Sequence, residues 1–371
     1  MKRLFRPLDL ILAALHAYIG LRLLAPFGPA GQAAGAAFLV GLFCLMPRSW
    51  WIREGRSVWR VMIPWVATGF SSWLLVLTVA RDVALLAAAL AFAPADLATW
   101  TRISALAVMA LTPAITLVGF LMARRVAAVR HVDVRLAGLP AGLEGFTIAQ
   151  ITDIHVGPTI KGDFVQRIVE RVNGLGADMV AITGDLVDGS VRDLAAHTAP
   201  LAGLQSRHGT YFVTGNHEYY SGAQAWIGEL TRLGTRVLMN EHVVIEHGGA
   251  QLALAGVTDY SAHHFQPDHR SDPHRALSGA PEDAVKVLLA HQPRSAAHAQ
   301  DAGFHLQISG HTHGGQFWPW NLFVRMQQPF TAGLHRLGMM WVYISSGTGY
   351  WGPPMRFGIP SEITRIRLVR A

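Results

Sequence analysis

Four long apolar stretches occupy the first 130 residues and restrict how this chain can fold. They run from about Leu8 to Ala25, Gly31 to Met46, Val61 to Ala80 and Ile103 to Ala123. A helix needs about 20 apolar residues to cross the hydrocarbon core of a bilayer, a length that the third and fourth stretches reach. The first contains His16 and Arg22, and the second is shorter and rich in Gly and Ala. With 51% hydrophobic residues and a mean hydropathy of +0.28, the chain is predicted to begin with an all-α transmembrane region of about four helices.

The distribution of basic residues predicts the orientation of these helices. Basic residues precede the first stretch, separate the second from the third, and follow the fourth: Lys2, Arg3, Arg6, Arg48, Arg53, Arg56, Arg60, Arg124, Arg125 and Arg130. The remaining two connections carry no net charge, with Arg81, Asp82, Asp96 and Arg102 assigned to the last one. The positive-inside rule then places both termini in the cytoplasm after four crossings. Residues 83–92 have three possible structures: an extension of the third helix, an interfacial segment or a re-entrant piece.

A cleaved signal peptide followed by buried core helices is the alternative to a membrane region. The first stretch lacks a clear small-residue cleavage site, and three more apolar stretches follow it, so the membrane interpretation is favoured. Residues 1–130 carry 13 Lys and Arg against four acidic residues, whereas residues 131–371 carry 18 against 20. The positive charge therefore does not lie on the more polar part, which argues against nucleic-acid binding. We predict a transmembrane anchor at 1–130 and a catalytic domain at 131–371, with no intrachain disulfide because Cys44 is the single cysteine.

From residue 146 onward, short apolar runs alternate with amphipathic segments. The runs have the length of buried strands, and residues 163–175 place apolar side chains at helical spacing. The predicted strands are 146–152, 178–183, 210–214, 252–257, 285–290, 305–309 and 341–345, with a second helix near 191–205. Alternating strands and helices predict an α/β domain with a largely buried sheet.

Polar residues with metal-binding side chains follow five of these strands directly. They are Asp153 and His155, then Asp185 and Asp188, then Asn216, His217 and Glu218, then His291, and finally His311 and His313. Each group alone has an ordinary explanation as a turn. Because loops at the carboxyl ends of strands converge over the edge of the sheet, all five groups together predict one site.

The types of ligand indicate which metals the site would hold. Carboxylate, imidazole and amide oxygen without thiolate suit a catalytic centre of Mn, Fe or Zn rather than Ca. Two neighbouring divalent ions need roughly eight protein ligands, with one carboxylate able to bridge. Two ions facing two carboxylates leave a net charge of about +2, which attracts phosphate and lowers the pKa of a bridging water.

In these motifs the chain resembles the calcineurin-like metallophosphoesterase superfamily. The residues that carry the resemblance are Asp153-x-His155, Gly184-Asp185-x-x-Asp188, Gly215-Asn216-His217-Glu218, His291 and Gly310-His311-Thr312-His313. "SGHTHGGQ" and the tail "SSGTGYWGPPMRFGIPSEITRIRL" are similar to its membrane-anchored bacterial branch. The resemblance covers roughly residues 145–371 and implies a two-sheet sandwich flanked by helices.

The resemblance also implies a role for each site residue. One divalent ion would be held by Asp153, His155 and His313, the other by Asn216, His291 and His311, with Asp185 bridging both. His217 would bind the substrate phosphate or protonate the leaving oxygen. Asp188 would orient a neighbour without ligating, unless it only caps a helix, and Glu218 is given no contact with the metals.

These expectations combine into a predicted function. The chain is expected to be a metal-dependent phosphoric ester hydrolase of the bacterial inner membrane, with its catalytic domain in the cytoplasm and no protein or nucleic-acid partner. A metal-bridging hydroxide would cleave a phosphodiester or pyrophosphate bond, and a lipid-linked substrate is the favoured one. The alternatives are a tethered phosphodiesterase acting on soluble phosphodiesters or nucleotides, a non-catalytic metal-binding membrane sensor and, less favoured, a protein phosphatase.

Two further segments have open interpretations. An aromatic segment beside His313 is expected to form an apolar rim that supports a lipid substrate, or else a packed loop: Phe317, Trp318, Trp320, Leu322, Phe323 and Phe330. A histidine-rich segment is expected to be a polar loop or a lid: His263, His264, His269 and His274.

Overall fold

The chain folds into two compact units. A computed structural model describes residues 7–49, 58–92 and 96–371. The helical unit comprises the described residues up to Arg124 together with Gly352–Phe357, and the α/β unit comprises Arg125–Trp351 and Gly358–Ala371. The predicted division after residue 130 falls inside a strand of the α/β unit, and the assignment of anchoring and catalysis to two parts of the chain stays a prediction.

Four helices of the described residues coincide with the four apolar stretches. They are α1 (Pro7–Leu23), α2 (Pro29–Ser49), α3 (Val58–Phe92) and α4 (Leu97–Arg124). Among the described residues, α2, α3 and α4 are long and apolar enough to cross a membrane, while α1 has 17 residues, the lower limit for a span. The number of crossings stays a prediction. Lys2, Arg3, Arg6, Arg53 and Arg56, on which the predicted orientation partly depends, lie outside the described residues.

Residues 83–92 continue α3, so the helical extension is the correct one of the three structures considered for them. The assignment of Arg81 and Asp82 to a loop is therefore wrong. One oxygen of Asp82 accepts hydrogen bonds from Tyr18 Oη at 2.7 Å and Arg22 Nε at 2.6 Å, and the other accepts from Arg81 Nη1 at 2.8 Å. The helix can include these charges because they pair with one another.

The helical unit is apolar on its outside as well as inside. Ile19, Leu39, Leu74 and Val108 belong to its buried core, and many other leucines and valines of the four helices are exposed. A helix that is hydrophobic all round is typical of a lipid environment.

The short segment Gly352–Phe357 packs within the helical unit although it lies far away in sequence. Trp73 Nε1 donates a hydrogen bond to Met355 Sδ at 3.0 Å, and the rings of Trp73 and Phe357 lie 5.2 Å apart. The backbone N–H of Arg356 donates to the carbonyl of Gly119 at 2.9 Å. The chain therefore returns to the helical unit once, between two parts of the α/β unit.

Two six-stranded mixed sheets form the α/β unit. The first has the order β1 (Ala128–Leu136), β12 (Glu362–Arg370), β2 (Thr147–Ile151), β3 (Met179–Ile182), β4 (Thr210–Phe212) and β5 (Arg236–Val237). The second has the order β10 (Gly333–Leu337), β11 (Met340–Ile344), β9 (Leu306–Ser309), β8 (Val285–Leu289), β7 (Ala250–Gly256) and β6 (Glu241–His247). Strands β2–β5 are parallel, as are β7, β8, β9 and β11.

The two sheets pack face to face around the main core. Ile148 and Met179 of the first sheet share one buried cluster with Leu254 and Val287 of the second. The next residue of β8, Leu288, points to the opposite face and packs in another cluster, because side chains alternate across a strand. The predicted two-sheet α/β sandwich is confirmed.

Helices cover the outer faces of the sandwich. They are α5 (Gly162–Asn173), α6 (Val191–Thr198), α7 (Asn216–Ser221), α8 (Ala223–Arg232), α9 (Pro273–Leu277) and α10 (Ala296–Asp301). In α5, Phe164, Val165, Ile168 and Val172 are buried, which is the helical spacing that the sequence predicts. All seven predicted strands form, and β1, β5, β6, β10 and β12 were not predicted.

Candidate metal centre

The predicted ligands meet at one end of the two sheets. Asp153, Asp185 and Asn216 follow the parallel strands β2, β3 and β4 of the first sheet. His291 and His311 follow β8 and β9 of the second sheet. Because both sheets deliver their carboxyl ends to the same place, the site lies where the sandwich opens.

The side chains form three groups whose ligand atoms lie within 4.8 Å of one another. The groups are Asp153, His155 and His313; His155, Asp185 and His217; and Asp185, His291 and His311. Asp185 belongs to two of them, as expected of a bridging carboxylate. The first group is the set of residues predicted to hold one ion.

Several ring nitrogens face each other across short distances. His155 Nε2 lies 3.1 Å from His313 Nε2, and His311 Nδ1 lies 3.1 Å from His291 Nε2. The carboxylate oxygen Asp185 Oδ2 lies 3.1 Å from His291 Nε2. Lone pairs directed at a common point are the arrangement that a metal ion completes.

In two of these rings, His291 and His155, the other ring nitrogen is already hydrogen-bonded to the protein. His291 Nδ1 lies 2.7 Å from the carbonyl oxygen of Thr183, and His155 Nδ1 lies 3.0 Å from Asp188 Oδ1. When Nδ1 donates its proton in these bonds, Nε2 keeps its lone pair for the metal. The local hydrogen bonds thus set the tautomer that ligation requires.

The backbone of the ligand residues is strained. Five ligand residues have positive φ angles: Asp153 (52°), His155 (56°), Asp185 (50°), His311 (70°) and His313 (51°). Only two other non-glycine residues in the described chain share this property. Left-handed backbone is costly for such residues and concentrates at functional sites, where surrounding structure holds it in place.

Glycines make room for the carboxylates. A Cβ on Gly215 would overlap Asp185 Oδ1, and a Cβ on Gly310 would overlap Asp153 Oδ2. Glu218 fixes the same region, because its buried carboxylate accepts from the backbone N–H groups of Gly215 at 2.6 Å, Leu186 at 2.8 Å and Asp185 at 3.0 Å. Burial and the nearby Asp185 raise the pKa of Glu218 to about 8. Glu218 therefore stabilises these turns through backbone hydrogen bonds, and its lack of contact with the metals stays a prediction.

Asn216 provides a direct test of the fit between the site and a metal. Within the described part of the chain, its Oδ1 is buried and has no hydrogen-bond partner. A buried amide oxygen without a partner costs about 1–3 kcal/mol. Coordination of a divalent ion would satisfy this oxygen, so the donor set fits metal ions.

Charge interactions within the site favour a protonated His217 and a neutral His311. Burial opposes a positive charge on His217, but the carboxylates of Asp185 and Asp188 outweigh it and raise the pKa of the imidazole to about 9. Burial, with repulsion from a neighbouring histidine, lowers the pKa of His311 to about 3. Burial would raise the pKa of Asp188, but His155 and His217 lower it below its ordinary value. Asp188 is thus an anion, as a partner for two imidazoles should be.

Asp188 connects two imidazoles of the site. Its Oδ1 lies 3.0 Å from His155 Nδ1 and 2.6 Å from His217 Nδ1. The N-cap position of α6 belongs to Ser190, so the helix-capping alternative for Asp188 is wrong. One carboxylate oxygen of Asp188 thus accepts hydrogen bonds from two imidazoles.

Two aromatic residues beside His217 escaped the sequence analysis as site residues. The rings of Tyr220 and Trp351 lie 5.1 and 5.6 Å from the His217 ring. In the sequence, Trp351 stands out only as part of the C-terminal tail that resembles the family. Its position beside the site depends on a tertiary contact that no local sequence pattern indicates. Gln316 holds it: Gln316 Nε2 donates to the Trp351 carbonyl at 2.9 Å and its Oε1 accepts from the Trp351 N–H at 2.8 Å.

The histidine-rich loop lies apart from the ligands. His269 Nδ1 lies 2.9 Å from the hydroxyl of Tyr219. His263, His264 and His274 line a separate cavity of about 440 Å³. None of the seven predicted ligands is among the residues lining that cavity. Phe265 of the same loop packs against Tyr220, with ring centroids 5.4 Å apart, so the polar loop and the lid both stay predictions.

The predicted apolar rim divides into buried and exposed parts. Phe317 is buried, and Phe330 packs against the cluster on the outer face of the second sheet. Five side chains between them are exposed, and we call them the lip: Trp318, Trp320, Leu322, Phe323 and Met326.

Comparison with known proteins identifies relatives of the α/β unit. The family described as "Calcineurin-like phosphoesterase" matches residues 146–315. The bovine "Transmembrane protein with metallophosphoesterase domain" is 42% identical over 279 residues, covering 72% of this chain and 62% of that protein. A metallophosphoesterase of Aquifex aeolicus is 32% identical over 235 residues, covering 62% of this chain and 87% of that protein.

Further matches extend across bacteria and to solved structures. A metallophosphoesterase of Helicobacter pylori strain J99 is 42% identical over 224 residues, covering 60% of this chain and 59% of that protein. A 5'-nucleotidase precursor from Thermus thermophilus is a distant structural likeness, with 13% identity, a TM-score of 0.39 and coverage of 61% of this chain and 54% of that one. The chain spans 62% of the length of its bovine and zebrafish relatives.

Proposed function

Because this chain belongs to the calcineurin-like phosphoesterase family, we propose that it is a membrane-anchored hydrolase that uses two divalent metal ions to cleave phosphoric esters. The proposed bond is a phosphodiester or pyrophosphate, and the proposed substrate is lipid-linked. The proposed location is the cytoplasmic side of a bacterial inner membrane.

One observation carries the proposal: six carboxylate and imidazole ligands from both sheets converge, five of them on left-handed backbone, and the buried, unpartnered amide oxygen of Asn216 is the seventh candidate ligand. A site that only stabilised the fold would not need this costly geometry at so many neighbouring positions. The seven are Asp153, His155, Asp185, Asn216, His291, His311 and His313. We propose Asp153, His155 and His313 for one ion, Asn216, His291 and His311 for the other, and Asp185 for both.

The residues around the ligands supply the remaining chemistry. Bound Mn, Fe or Zn ions would polarise the phosphoryl group and generate a nucleophile from water near neutral pH. His217 does not belong to the proposed ligand set, and Asp188 fixes its Nδ1 at 2.6 Å. The opposite nitrogen, Nε2, lies 3.9 Å from Asp185 Oδ2 and can bind a phosphoryl oxygen or deliver a proton to the leaving oxygen.

The lipid-linked substrate is supported by the helical unit and by the lip. Helices α2, α3 and α4 have the length and composition of membrane spans, and the lip follows His313 by a few residues. A tethered centre of this kind meets its substrate at the headgroup layer of the membrane.

A soluble phosphodiester or nucleotide is the second candidate substrate. Tyr220 and Trp351 present exposed aromatic rings beside His217. Such rings can stack on a nucleobase, and they can equally contact an acyl chain. A metal-binding sensor without turnover is the third candidate, and an unaltered set of ligands together with His217 argues against it.

Substrate depletion by the full-length, detergent-purified protein with Mn²⁺ tests the proposal. The protein is incubated with a bacterial lipid extract and, separately, with a soluble metabolite pool, and both are followed by mass spectrometry. Asp185→Asn serves as the inactive variant. Asp133→Asn is the matched control, since Asp133 lies on β1 and pairs with Arg367.

Loss of a phospholipid or lipid pyrophosphate with wild type and Asp133→Asn, but not with Asp185→Asn, is the expected result. Turnover restricted to soluble phosphodiesters would favour the second candidate. Metal binding without Asp185-dependent turnover in either pool would refute the hydrolase.

A further inference from the structure

The lip is the feature of the α/β unit that ester hydrolysis leaves unexplained. Trp318, Trp320, Leu322, Phe323 and Met326 are exposed to 44%, 39%, 63%, 51% and 81%. Residues 125–371 are all described, and they contain ten exposed large hydrophobic side chains, of which the lip supplies five within nine residues of chain. Contiguous exposed apolar patches mark surfaces that something else covers.

Hydrogen bonds hold the loop that carries the lip at both of its ends. On one side, Gln316 exchanges two hydrogen bonds with the backbone of Trp351. On the other side, the guanidinium of Arg294 donates to the carbonyl of Gln327 at 2.8 and 2.5 Å. Two short 3₁₀ helices, Trp320–Leu322 and Val324–Met326, lie between these fastenings. The exposed side chains therefore belong to an ordered loop.

Two residues that lie near the lip, Trp351 and Gly358, are covalently linked to the segment Gly352–Phe357 of the helical unit. Trp351 touches Gln316 and precedes Gly352–Phe357, the segment that packs within the helical unit. The chain leaves that segment at Gly358, where an added Cβ would lie 3.5 Å from Cβ of Trp318. Of the three covalent connections between the units, the two at Trp351–Gly352 and Phe357–Gly358 thus start or end beside the loop that carries the lip.

We infer that the lip inserts into the interfacial layer of the bilayer that the helical unit spans. Its composition fits this environment, since Trp side chains prefer the headgroup level and Leu, Phe and Met enter the acyl region. Arg325, which is exposed within the same loop, can pair with lipid phosphates. This inference rests on the membrane placement proposed above, and it adds that the α/β unit itself contacts lipid.

Insertion would bring the metal centre to its substrate. Trp351 lies between the lip-bearing loop and His217, with its ring 5.6 Å from the imidazole. A lipid phosphate at headgroup level could then reach the centre while its acyl chains stay in the membrane. The substrate would not have to leave the bilayer, which removes the cost of exposing its chains to water.

Fluorescence quenching by the membrane tests the insertion. The full chain carrying Cys44→Ser is given a single new cysteine by Leu322→Cys or Met326→Cys and labelled with an environment-sensitive fluorophore. It is reconstituted into liposomes with or without brominated phospholipids. Met339→Cys is the matched control, because Met339 is 75% exposed in the turn between β10 and β11 of the same unit. Wild type labelled at its exposed Cys44 in α2 reports on the helical unit.

The expected result is a blue shift and strong quenching at positions 322 and 326, about threefold or more above that at 339, with Cys44 also quenched. Quenching at Cys44 with none at 322 or 326 would overturn the lip insertion and leave the proposed hydrolase intact. Absence of quenching at Cys44 would overturn the membrane placement and the lip insertion together. Equal quenching at 322, 326 and 339 would mean that the lip has no special contact with lipid.

Discussion

Replacing Asp188 by Asn tests how the metal centre couples its two imidazoles. A single carboxylate oxygen, Oδ1, lies 3.0 Å from His155 Nδ1 and 2.6 Å from His217 Nδ1. The substitution keeps the size and shape of the side chain but removes its charge. His155 belongs to the proposed metal ligands and His217 is the proposed substrate-facing residue, so the two hydrogen bonds should affect different measurements.

The size of each effect follows from the loss of charge. A hydrogen bond to a charged group contributes about 1.5–3 kcal/mol, and one between neutral groups about 0.5–1.5 kcal/mol. Each of the two bonds should therefore weaken by about 1–1.5 kcal/mol, or about tenfold in an equilibrium or rate constant. We expect metal affinity to fall about tenfold through His155 and kcat at saturating metal to fall about tenfold through His217, a combined loss within the range known for partners of metal ligands.

The assay separates the two losses. Mn²⁺ affinity is measured by competition with a fluorescent chelator, and kcat by hydrolysis of bis(4-nitrophenyl) phosphate at saturating Mn²⁺. In a His217→Ala background, Asp188→Asn should still lower metal affinity but should no longer change kcat. Asp133→Asn provides the matched control. Wild-type affinity and kcat in Asp188→Asn would refute the coupling, and equal losses of kcat with and without His217 would refute the role assigned to its hydrogen bond.

Three other perturbations should have distinct outcomes. Gly215→Ala should lower kcat/KM about 100-fold or more, because its Cβ would overlap Asp185 Oδ1 and displace a proposed bridging ligand; Gly228→Ala, which has open space around it in α8, should retain activity. Glu218→Gln should reduce the free energy of unfolding by about 1–3 kcal/mol, since three backbone N–H groups point at the two carboxyl oxygens and an amide offers only one acceptor oxygen; an unchanged thermal unfolding curve would contradict this role. EDTA should lower the melting temperature and Mn²⁺ should restore it, because ligation stabilises the folded state and satisfies Asn216 Oδ1; EDTA preloaded with Mn²⁺ is the control, and equal melting temperatures would count against a metal centre.

The sequence was sufficient to locate the strands that carry the ligands. Their apolar runs are short and fully buried, for example residues 147–151 and 306–309, so composition and length identify them without tertiary information. The family resemblance read from the motifs at their ends is confirmed. The convergence of these motifs followed from a general property of α/β sheets.

Strands with mixed composition were harder to recognise. β12, which lies between β1 and β2 in the first sheet, contains Arg365, Arg367 and Arg370 among its apolar residues. Its pairing with β1 and β2 depends on residues more than 200 positions away, which a search for apolar runs cannot detect. Similarly, Arg81 and Asp82 follow the third apolar stretch, and only the partners of Asp82 in α1 and of Arg81 in α4 show why the helix continues.

The detailed form of the site also depends on tertiary structure. No local pattern predicts left-handed backbone at His311 or Asp153, because ordinary residues avoid it and the surrounding loops impose it. The inward position of Phe317 and the outward position of Trp318 depend likewise on how the loop is fastened.

The return of Gly352–Phe357 to the helical unit affects how the protein can be divided. A chain that began at Arg125 would keep this segment while losing the helices that bury Met355 and Arg356. The cut would leave this apolar and cationic segment exposed directly after Trp351. Removing the four helices is therefore not equivalent to releasing an intact α/β unit. A truncated form would need a redesigned bridge between Trp351 and Gly358, in place of the segment that packs within the helical unit.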